Sequence, residues 1–352
     1  MSKGTYTHSE IYSQPDIWKS VLDDYAKINL GDLIDNKDIT GRFFLVTGCG
    51  STHYLAMSTA TLLRKLGFRA FALPASEVVY FSQALPPGEA NLLAISRSGT
   101  TTETLWAVEK YRKQKMGNHV IAITTQPNST LAKEADFILA APQAQEISTA
   151  QTRSFTSMFL ISQILSGALA GDRNVAARLL ALPDGLKRLL EEVSDLPRLI
   201  GEDLSINRFF FLGGGPFYGL ACEAMLKMKE MSCSWTEAYH PLEFRHGPMS
   251  VVDQGSLVVC LASDSQLAAE TRVLKDMKRL GAKTLVFTED STTSDWSGMD
   301  HVISMKTGLD EWDRGAIYLP LIQWIAYYRA ISKGLDPDQP NNLSPVIELD
   351  ND

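Results

Sequence analysis

Short apolar runs alternate with longer amphipathic stretches along this chain. The run RFFLVTG begins at residue 42, and the stretch after it carries apolar residues at helical spacing. NLLAIS at residue 91 and VIAITT at residue 120 are further runs of the same kind. Continuous apolar runs that alternate with helical periodicity are typical of buried parallel strands joined by crossover helices. The pattern therefore predicts α/β sandwiches with mostly parallel sheets.

The same arrangement occurs twice in the chain. RFFLVTGCGSTHYLA at 42–56 resembles RFFFLGGGPFYGLA at 208–221, and the parallel continues downstream of both segments. The spacing of roughly 165 residues is close to the length of one domain. We therefore predict two tandem domains, each a three-layer α/β/α sandwich. The predicted boundaries are an N-terminal helical segment at 1–40, a first domain at 41–171, a helical linker at 172–200, a second domain at 201–335 and a C-terminal tail at 336–352.

Composition and charge narrow the class of protein. The 352 residues include 33 Lys and Arg against 41 Asp and Glu, a net charge of −8 that argues against nucleic-acid binding. No apolar run approaches the roughly 18–20 residues that span a bilayer. The opening MSKGTYTHSEIYSQP lacks the apolar core of a signal peptide, and the four cysteines show no metal-ligand pairing. We expect a cytoplasmic protein with no membrane, nucleic-acid or metal partner.

Two loops of the first half follow predicted strands, and ligands of open parallel sheets bind outside the carboxyl ends of the strands. The loops are GCGSTH at 48–53 and SRSGTTTET at 96–104. In the second loop, hydroxyls surround a glycine turn that opens a helix, and such donors suit a phosphate dianion. The alternative is a Ser/Thr-rich N-cap that serves only the helix. Neither loop is a P-loop or a dinucleotide fingerprint, because the lysine and the third glycine are missing.

The corresponding loop of the second half has a different composition. ASDSQ at 262–266 has no glycine and carries Asp264. A carboxylate at this position would repel a phosphate. We therefore expect only the first half to bind the anion.

A predicted helix of the second half carries one charged stripe. Glu223, Lys227 and Glu230 share a helical face, and the other faces carry mostly methionine and leucine. The stripe is either a solvated salt-bridge ladder or the lining of a cleft. His246 follows in the loop motif RHGP, and a carboxylate with an imidazole near an anion site can transfer protons.

Together these motifs resemble those of the tandem sugar isomerase (SIS) domain family. They are similar to the isomerase half of glucosamine-6-phosphate synthases and to the stand-alone aminosugar-phosphate deaminase/isomerases. The resemblance covers nearly the whole chain. The motifs that carry it are EIYSQP at 10–15, GCGST at 48–52, ISRSGTTTET at 95–104, STAQTRSF at 148–155, ACEAMLKMKE at 221–230 and PLEFRHGP at 241–248.

The resemblance implies site residues of three kinds. The phosphate would be bound by the loops of the first half, at Gly50, Ser51, Thr52, Ser96, Arg97, Ser98 and Thr101. The rest of the substrate would be contacted by Thr149, Gln151, Glu223 and Lys227. Glu230 would be the base that moves a proton between C1 and C2. His246, contributed across the interface of a homodimer, would assist ring opening.

Two departures from the synthases bear on the expected reaction. A glutamine-hydrolysing segment with its cysteine is not present near residue 1, and the tail NNLSPVIEL has Ser344 where the synthases carry a lysine. We therefore expect neither glutamine-dependent synthesis nor a Schiff base through the tail. The resemblance implies an enzyme without metal or redox cofactor that converts glucosamine or galactosamine 6-phosphate to a ketohexose 6-phosphate and ammonia. The alternatives are a fructosamine-6-phosphate deglycase, an aldose–ketose isomerase of another phosphosugar or a sulfosugar, and a non-catalytic phosphosugar sensor.

Overall fold

The computed structural model describes residues 2–28, 30–41, 43–85, 89–117 and 119–344. Residues 345–352 of the predicted tail lie outside the described residues. The strands are β1 Phe43–Gly48, β2 Ala70–Pro74, β3 Ala90–Ile95, β4 Val120–Thr124, β5 Phe137–Ala140, β6 Arg208–Gly213, β7 Trp235–Tyr239, β8 Ser256–Leu261, β9 Lys283–Thr288 and β10 His301–Ser304.

The α-helices lie before, between and after these strands. They are α1 Thr5–Tyr12, α2 Gln14–Tyr25, α3 Gly31–Ile34, α4 Lys37–Thr40, α5 Ser51–Lys65, α6 Ala75–Tyr80, α7 Thr102–Lys113, α8 Thr130–Glu134, α9 Arg153–Leu169, α10 Val175–Leu179, α11 Ala181–Glu192, α12 Leu196–Glu202, α13 Phe217–Ser232, α14 Leu267–Arg279 and α15 Leu319–Ser332. Short 3-10 turns occur at Ser82–Ala84, Pro142–Ala144, Glu243–Arg245, Pro248–Val251 and Gly315–Tyr318.

The strands described here form two parallel five-stranded sheets. The first sheet has the order β2-β1-β3-β4-β5, and the second has the order β10-β9-β8-β6-β7. Every pairing in both sheets is parallel. Counted from the beginning of each half, the two orders are identical. The structure therefore confirms the predicted fold class and the duplication of one α/β unit.

The central strands are buried on both faces, which explains their continuous apolar sequences. All residues of β1, β3 and β8 are buried. Leu45 and Leu92 pack in one cluster with Val78 of α6 and Tyr111 of α7. Because side chains alternate along a strand, the intervening residues, such as the buried Leu93, face the opposite layer. Helices on both faces give each sheet its three-layer packing.

The chain divides into two compact units that do not follow its linear order. The first unit comprises residues 16–146 and 153–180 with Ser344, and the second comprises residues up to 15, 147–152 and 181–343. The six residues 147–152 therefore belong to the second unit, although the chain on both sides of them belongs to the first. The predicted connector at 172–200 is helical, in α10, α11 and α12. The domain boundaries themselves stay a prediction.

Candidate functional site

The strand order of the first sheet places two candidate loops side by side. β1 and β3 are hydrogen-bonded neighbours, and the chain leaves β1 toward β2 on one side and returns through β3 on the other. This is a topological switch point, where open parallel sheets form a crevice at the carboxyl ends of their strands. The loop after β1 and the loop after β3 therefore both border that crevice.

The loop after β1 is tight and is stabilised by hydrogen bonds between its own residues. Gly48 has no room for a side chain, because an added Cβ would lie 2.6 Å from the hydroxyl of Thr52. That hydroxyl accepts the Cys49 N–H at 3.0 Å and donates to the Cys49 carbonyl at 2.9 Å. Gly50 adopts a φ of +52°, and α5 begins at the buried Ser51. Thr52 thus braces the loop, and Gly50 presents exposed backbone at its tip.

The loop after β3 is lined by hydroxyls that hydrogen-bond to the loop itself. The Ser96 hydroxyl lies 3.1 Å from that of Thr101 and accepts the Gly99 N–H at 3.1 Å. The Ser98 hydroxyl accepts the N–H and the hydroxyl of Thr100 at 3.2 and 3.1 Å. Thr101 is the N-cap residue of α7, but its side chain makes no capping hydrogen bond. These hydroxyls therefore do not serve as a conventional side-chain cap.

Arg97 brings a positive charge to this loop. Its carbonyl accepts the hydroxyls of Thr124 and Thr125 at 3.1 and 2.9 Å, which fixes the backbone. Its guanidinium Nη1 lies 3.8 Å from Oε2 of Glu146, and the two side chains are only 12% and 0% exposed. Ser154 at the start of α9 donates to the same carboxylate. Glu146 was not predictable from the sequence, because it lies far from Arg97 in the chain and many other acidic residues could have been the partner.

The corresponding loop of the second unit is occupied by carboxylates of the chain itself. Asp264 accepts two hydrogen bonds from the buried Arg314, both at 2.7 Å. The Ser263 hydroxyl donates to Glu311 at 2.7 Å, and the Ser263 N–H donates to Glu270 at 2.9 Å. The donors of this loop are thus satisfied internally. The sequence predicted a carboxylate in this loop at Asp264. It did not predict that Glu270, Glu311 and Arg314 contact the loop, because a sequence does not show which distant side chains pack there.

The charged stripe of α13 is buried. The side chains of Glu223 and Lys227 are 0% and 1% exposed, and that of Glu230 is 19% exposed. The Lys227 Nζ lies 3.4 Å from Glu223 Oε1 and donates to Glu230 Oε2 at 2.5 Å. The Lys227 ammonium group therefore pairs with two carboxylates, and only that of Glu230 is partly exposed to solvent. The interpretation of this stripe as a solvated ladder is wrong.

Glu230 occupies an unfavourable place in its helix. It lies in the last turn of α13, near the negative end of the helix dipole. A carboxylate there needs a compensating cation, which Lys227 supplies. Local conflicts of this kind are expected at functional sites.

The topology places Glu230 and the loop of His246 at opposite ends of the strands of the second sheet. α13 connects β6 to the parallel neighbour β7, so its last turn lies at the amino ends of the strands. His246 follows β7, in an exposed loop at the opposite edge of the sheet. The five residues of β7 span about 16 Å.

Thr149 and Gln151 lie in the six-residue segment that belongs to the second unit. The Thr149 N–H donates to the Asp338 carbonyl at 3.1 Å. The side-chain amide oxygen of Gln151 is buried and has no hydrogen-bond partner among the described residues. Because a buried acceptor without a donor is destabilising, this oxygen is suited to a donor from a ligand.

The predicted site residues therefore fall in two sets. Gly50, Ser51, Thr52, Ser96, Arg97, Ser98 and Thr101 border one crevice of the first unit, whereas Thr149, Gln151, Glu223, Lys227, Glu230 and His246 belong to the second unit. Over the ranges that the structure covers, no three His, Cys, Asp or Glu side chains come together as a candidate metal site. None of the helices described has the length and apolar character needed to cross a membrane.

The chain is similar to glutamine–fructose-6-phosphate aminotransferases of several organisms. The glutamine–fructose-6-phosphate aminotransferase (isomerizing) of Sulfolobus acidocaldarius is 30% identical over 359 residues, which cover 99% of this chain and 58% of that protein. The same-named protein of Caldanaerobacter subterraneus is 26% identical over 368 residues, or 99% of this chain and 60% of that protein. This chain thus spans about three fifths of the length of these relatives.

Solved structures share the fold over nearly the full chain. A glucosamine-6-phosphate deaminase from Thermotoga maritima is 29% identical with a TM-score of 0.77, covering 98% of this chain and 100% of its own. The C-terminal domain of a glucosamine-fructose-6-phosphate aminotransferase from Francisella tularensis is 25% identical with a TM-score of 0.83, covering 96% and 100%. The family model of the SIS domain matches residues 42–166 and 204–326. Two matches over most of the chain, each containing one of the parallel sheets, show that this chain belongs to the SIS-domain family.

Proposed function

We propose that this chain binds a sugar 6-phosphate and acts as an aminosugar-6-phosphate deaminase/isomerase. The observation that carries the proposal is the difference between the two equivalent loops. In the first unit, the loop after β3 presents hydroxyls and the first turn of α7 at a switch-point crevice. In the second unit, the chain's own carboxylates accept the donors of the same loop.

A phosphate dianion fits the loop after β3 on physical grounds. The N–H groups in the first turn of a helix have no partner within the helix, and they lie at the positive end of its dipole. Ser96, Ser98 and Thr101 supply hydroxyl donors beside them. Arg97 adds a cation that Glu146 balances in part. An anion bound here would therefore combine amide, hydroxyl and charge-based contacts, as phosphate sites at helix N-termini do.

Glu230 is the proposed base. After ring opening, its carboxylate would take the proton from C2 of the 2-amino-2-deoxyaldose and return it to C1. The product of that transfer is a C2 ketimine, which water hydrolyses to a ketohexose 6-phosphate and ammonia. Lys227 would hold the Glu230 carboxylate in one orientation, because its ammonium is itself fixed between two carboxylates.

His246 is the proposed acid–base group for ring opening, and we propose that it serves the site of a second copy in a homodimer. Its exposed loop at the edge of the sheet opposite to Glu230 favours this arrangement over a role in its own chain. Imidazole suits proton transfer between the ring oxygen and O1 near neutral pH.

The similarity to a deaminase supports the proposed reaction. The Thermotoga maritima glucosamine-6-phosphate deaminase is 29% identical to this chain and has its whole length covered by it. Ser344 stands where the resemblance places the lysine of the synthases. A deaminase/isomerase is therefore the reaction that we assign to this chain.

The test is ammonia release from purified protein. Glucosamine 6-phosphate, galactosamine 6-phosphate and a fructosamine 6-phosphate are assayed for ammonia or amine release, and fructose 6-phosphate and a 6-sulfonated sugar for isomerisation. We expect ammonia from one of the two aminosugar phosphates. Glu230→Gln should lower kcat at least about a thousandfold and leave binding of the phosphosugar nearly unchanged.

The matched control is Glu192→Gln. Glu192 also ends a helix and pairs with a basic residue, Arg188, but its side chain is 45% exposed. This variant should retain wild-type activity. Turnover by Glu230→Gln at the wild-type rate would exclude Glu230 as the base, and isomerisation without ammonia release would exclude deamination.

A further inference from the structure

The segment 147–152 is held in the second unit by a buried carboxylate of the first helix. Oε1 of Glu10 accepts the N–H groups of Ile147 and Ser148 at 2.6 and 3.3 Å. Its Oε2 accepts the Ser148 hydroxyl, which also lies 3.1 Å from the Ala150 carbonyl. Glu10 itself is 2% exposed. Three donors on one buried carboxylate fix the path of the backbone at residues 147 and 148, because charge-assisted hydrogen bonds are the strong ones.

The helix that carries Glu10 is fixed at its own N-terminus. The Asp338 carboxylate accepts the Tyr6 N–H at 3.0 Å, the Thr7 N–H at 2.7 Å and the Thr7 hydroxyl at 2.8 Å. The main-chain carbonyl of Asp338 accepts the Thr149 N–H at 3.1 Å. One residue near the C-terminus thus contacts both α1 and the segment that α1 supports.

A third contact ties the same region to α15. The Gln14 amide donates to the Gln323 side-chain oxygen at 2.8 Å, and both side chains are buried. Glu10 and Gln14 are the glutamate and glutamine of EIYSQP at 10–15. The motif therefore connects α1 with the segment 147–152 through Glu10, and the start of α2 with α15 through Gln14.

The segment supported in this way contains the two residues that the resemblance assigns to contacts with the sugar. Thr149 follows directly after the two residues that Glu10 binds, and Gln151 carries the buried amide oxygen that lacks a partner among the described residues. An acceptor of this kind discriminates between ligands only if it stays in place, because displacements of about 1 Å can change rates on the order of a hundredfold.

We propose that Glu10 is a positioning residue that holds Thr149 and Gln151 against the sugar without touching the substrate. The inference rests on the proposed function of this site as a phosphosugar site. Its consequence is selective: loss of Glu10 weakens binding of the sugar and leaves binding of a bare phosphate at the loop after β3 unchanged.

Two variants of Glu10 separate geometry from charge. Glu10→Ala removes the acceptor of all three donors. Glu10→Gln keeps an oxygen for the Ile147 and Ser148 N–H groups and places an NH2 group that can donate to the Ser148 hydroxyl. We expect Glu10→Ala to raise the KM for the aminosugar phosphate on the order of 10- to 100-fold with a smaller change in kcat. Glu10→Gln should restore the KM to within about threefold of wild type, because neutral hydrogen bonds keep the geometry.

The control is Asp300→Ala. Asp300 also accepts the N–H and the hydroxyl of one residue, Thr284, at 2.7 and 3.1 Å, and it braces a loop at the amino ends of the second sheet. This variant should lose stability without a change in KM. Inorganic phosphate serves as a competitive inhibitor in all variants, and its inhibition constant should stay constant.

The outcomes distinguish this inference from the proposed function. If wild type binds glucosamine 6-phosphate or fructose 6-phosphate without releasing ammonia, deamination fails, and dissociation constants measured by calorimetry replace KM. The inference would be overturned if Glu10→Ala weakened the binding of inorganic phosphate and of the sugar phosphate equally, or if it left the KM unchanged. The same change of KM in Asp300→Ala would also overturn it. Wild type that binds no sugar phosphate more tightly than inorganic phosphate would overturn it as well.

Discussion

Glu270 gives the second unit a stability that should depend steeply on pH. The carboxyl group lies in the first turn of α14 and is fully buried. The pKa of Glu270 is raised from its ordinary value of 4.5 to about 8. Burial is the largest cause, and the neighbouring carboxylates of Glu311 and Asp264 act in the same direction, whereas the Ser263 N–H and the Arg314 charge oppose it. Its Oε1 is buried without a partner among the described residues. A neutral, protonated carboxyl therefore fits this place better than a carboxylate.

The sign of the effect follows from proton linkage. Between pH 4.5 and about 8 the folded chain keeps a proton that the unfolded chain releases. The stabilisation is thus complete below pH 4.5 and is lost as the pH rises through the folded pKa near 8. Each tenfold difference in the ionisation equilibrium is worth about 1.4 kcal/mol. Across the whole window the loss is on the order of 3 to 5 kcal/mol, which is a large part of the stability of an ordinary domain.

Glu270→Gln is the perturbation that tests this reasoning, because glutamine resembles the protonated carboxyl in shape and charge. We expect the variant to match wild type within about 1 kcal/mol at pH 5 and to exceed it by several kcal/mol at pH 9. Urea denaturation of both proteins at pH 5, 7 and 9 measures the difference, and subtraction cancels the other titrating groups. Glu109→Gln is the control, since Glu109 is an exposed helix residue paired with Lys113, and this variant should follow wild type. Parallel pH profiles for wild type and Glu270→Gln would refute the argument.

Two further substitutions test the packing of the candidate sites. Gly99→Ala should destabilise the fold by on the order of 2 to 4 kcal/mol and abolish phosphate binding measured by calorimetry, because the new Cβ would lie 2.0 Å from the hydroxyl of Ser129. Gly171→Ala, also at positive φ but in open space, should cost only about 1 kcal/mol, so equal losses would contradict the steric reason. Lys227→Met should lower the free energy of unfolding by about 3 to 5 kcal/mol in urea titrations, because it leaves the buried charge of Glu223 without its cation; a neutral effect would show that the carboxylates are protonated or solvated.

The elements of the fold were predictable because their causes are local. Each buried strand is a continuous apolar run, and each crossover helix shows its own period. The order of the strands was not predictable, because pairing joins segments that are distant in the chain. That order matters most for function, since it makes β1 and β3 neighbours and turns two separate loops into the borders of one crevice.

For the charged groups, too, the local arrangement was predictable from the sequence and the long-range contacts were not. Glu223, Lys227 and Glu230 could be placed on one face from their spacing alone. The sequence could not show whether that face is solvated, since burial depends on α15 and on the strands that pack against α13. The sequence also could not show that Arg97 pairs with Glu146 or that Ser263 donates to Glu311. Each of these contacts joins residues about fifty positions apart in the chain.

The duplication shows why function has to be argued from loops and not from the fold. Both sheets have the same strand order, so both contain the same crevice beside the same helix N-terminus. In the second unit the acceptors at that position are the carboxyl groups of Glu270 and Glu311, which are part of the chain and are always present. In the first unit the loop after β3 bonds mainly within itself and has Arg97 as its charged group. Donors that already bond to the chain's own carboxyl groups gain little from an external anion. Hydroxyls that bond to neutral groups of their own loop can exchange those bonds for stronger, charge-assisted bonds to an anion. This difference is the reason that we propose a structural role for one copy of the crevice and a phosphate site for the other.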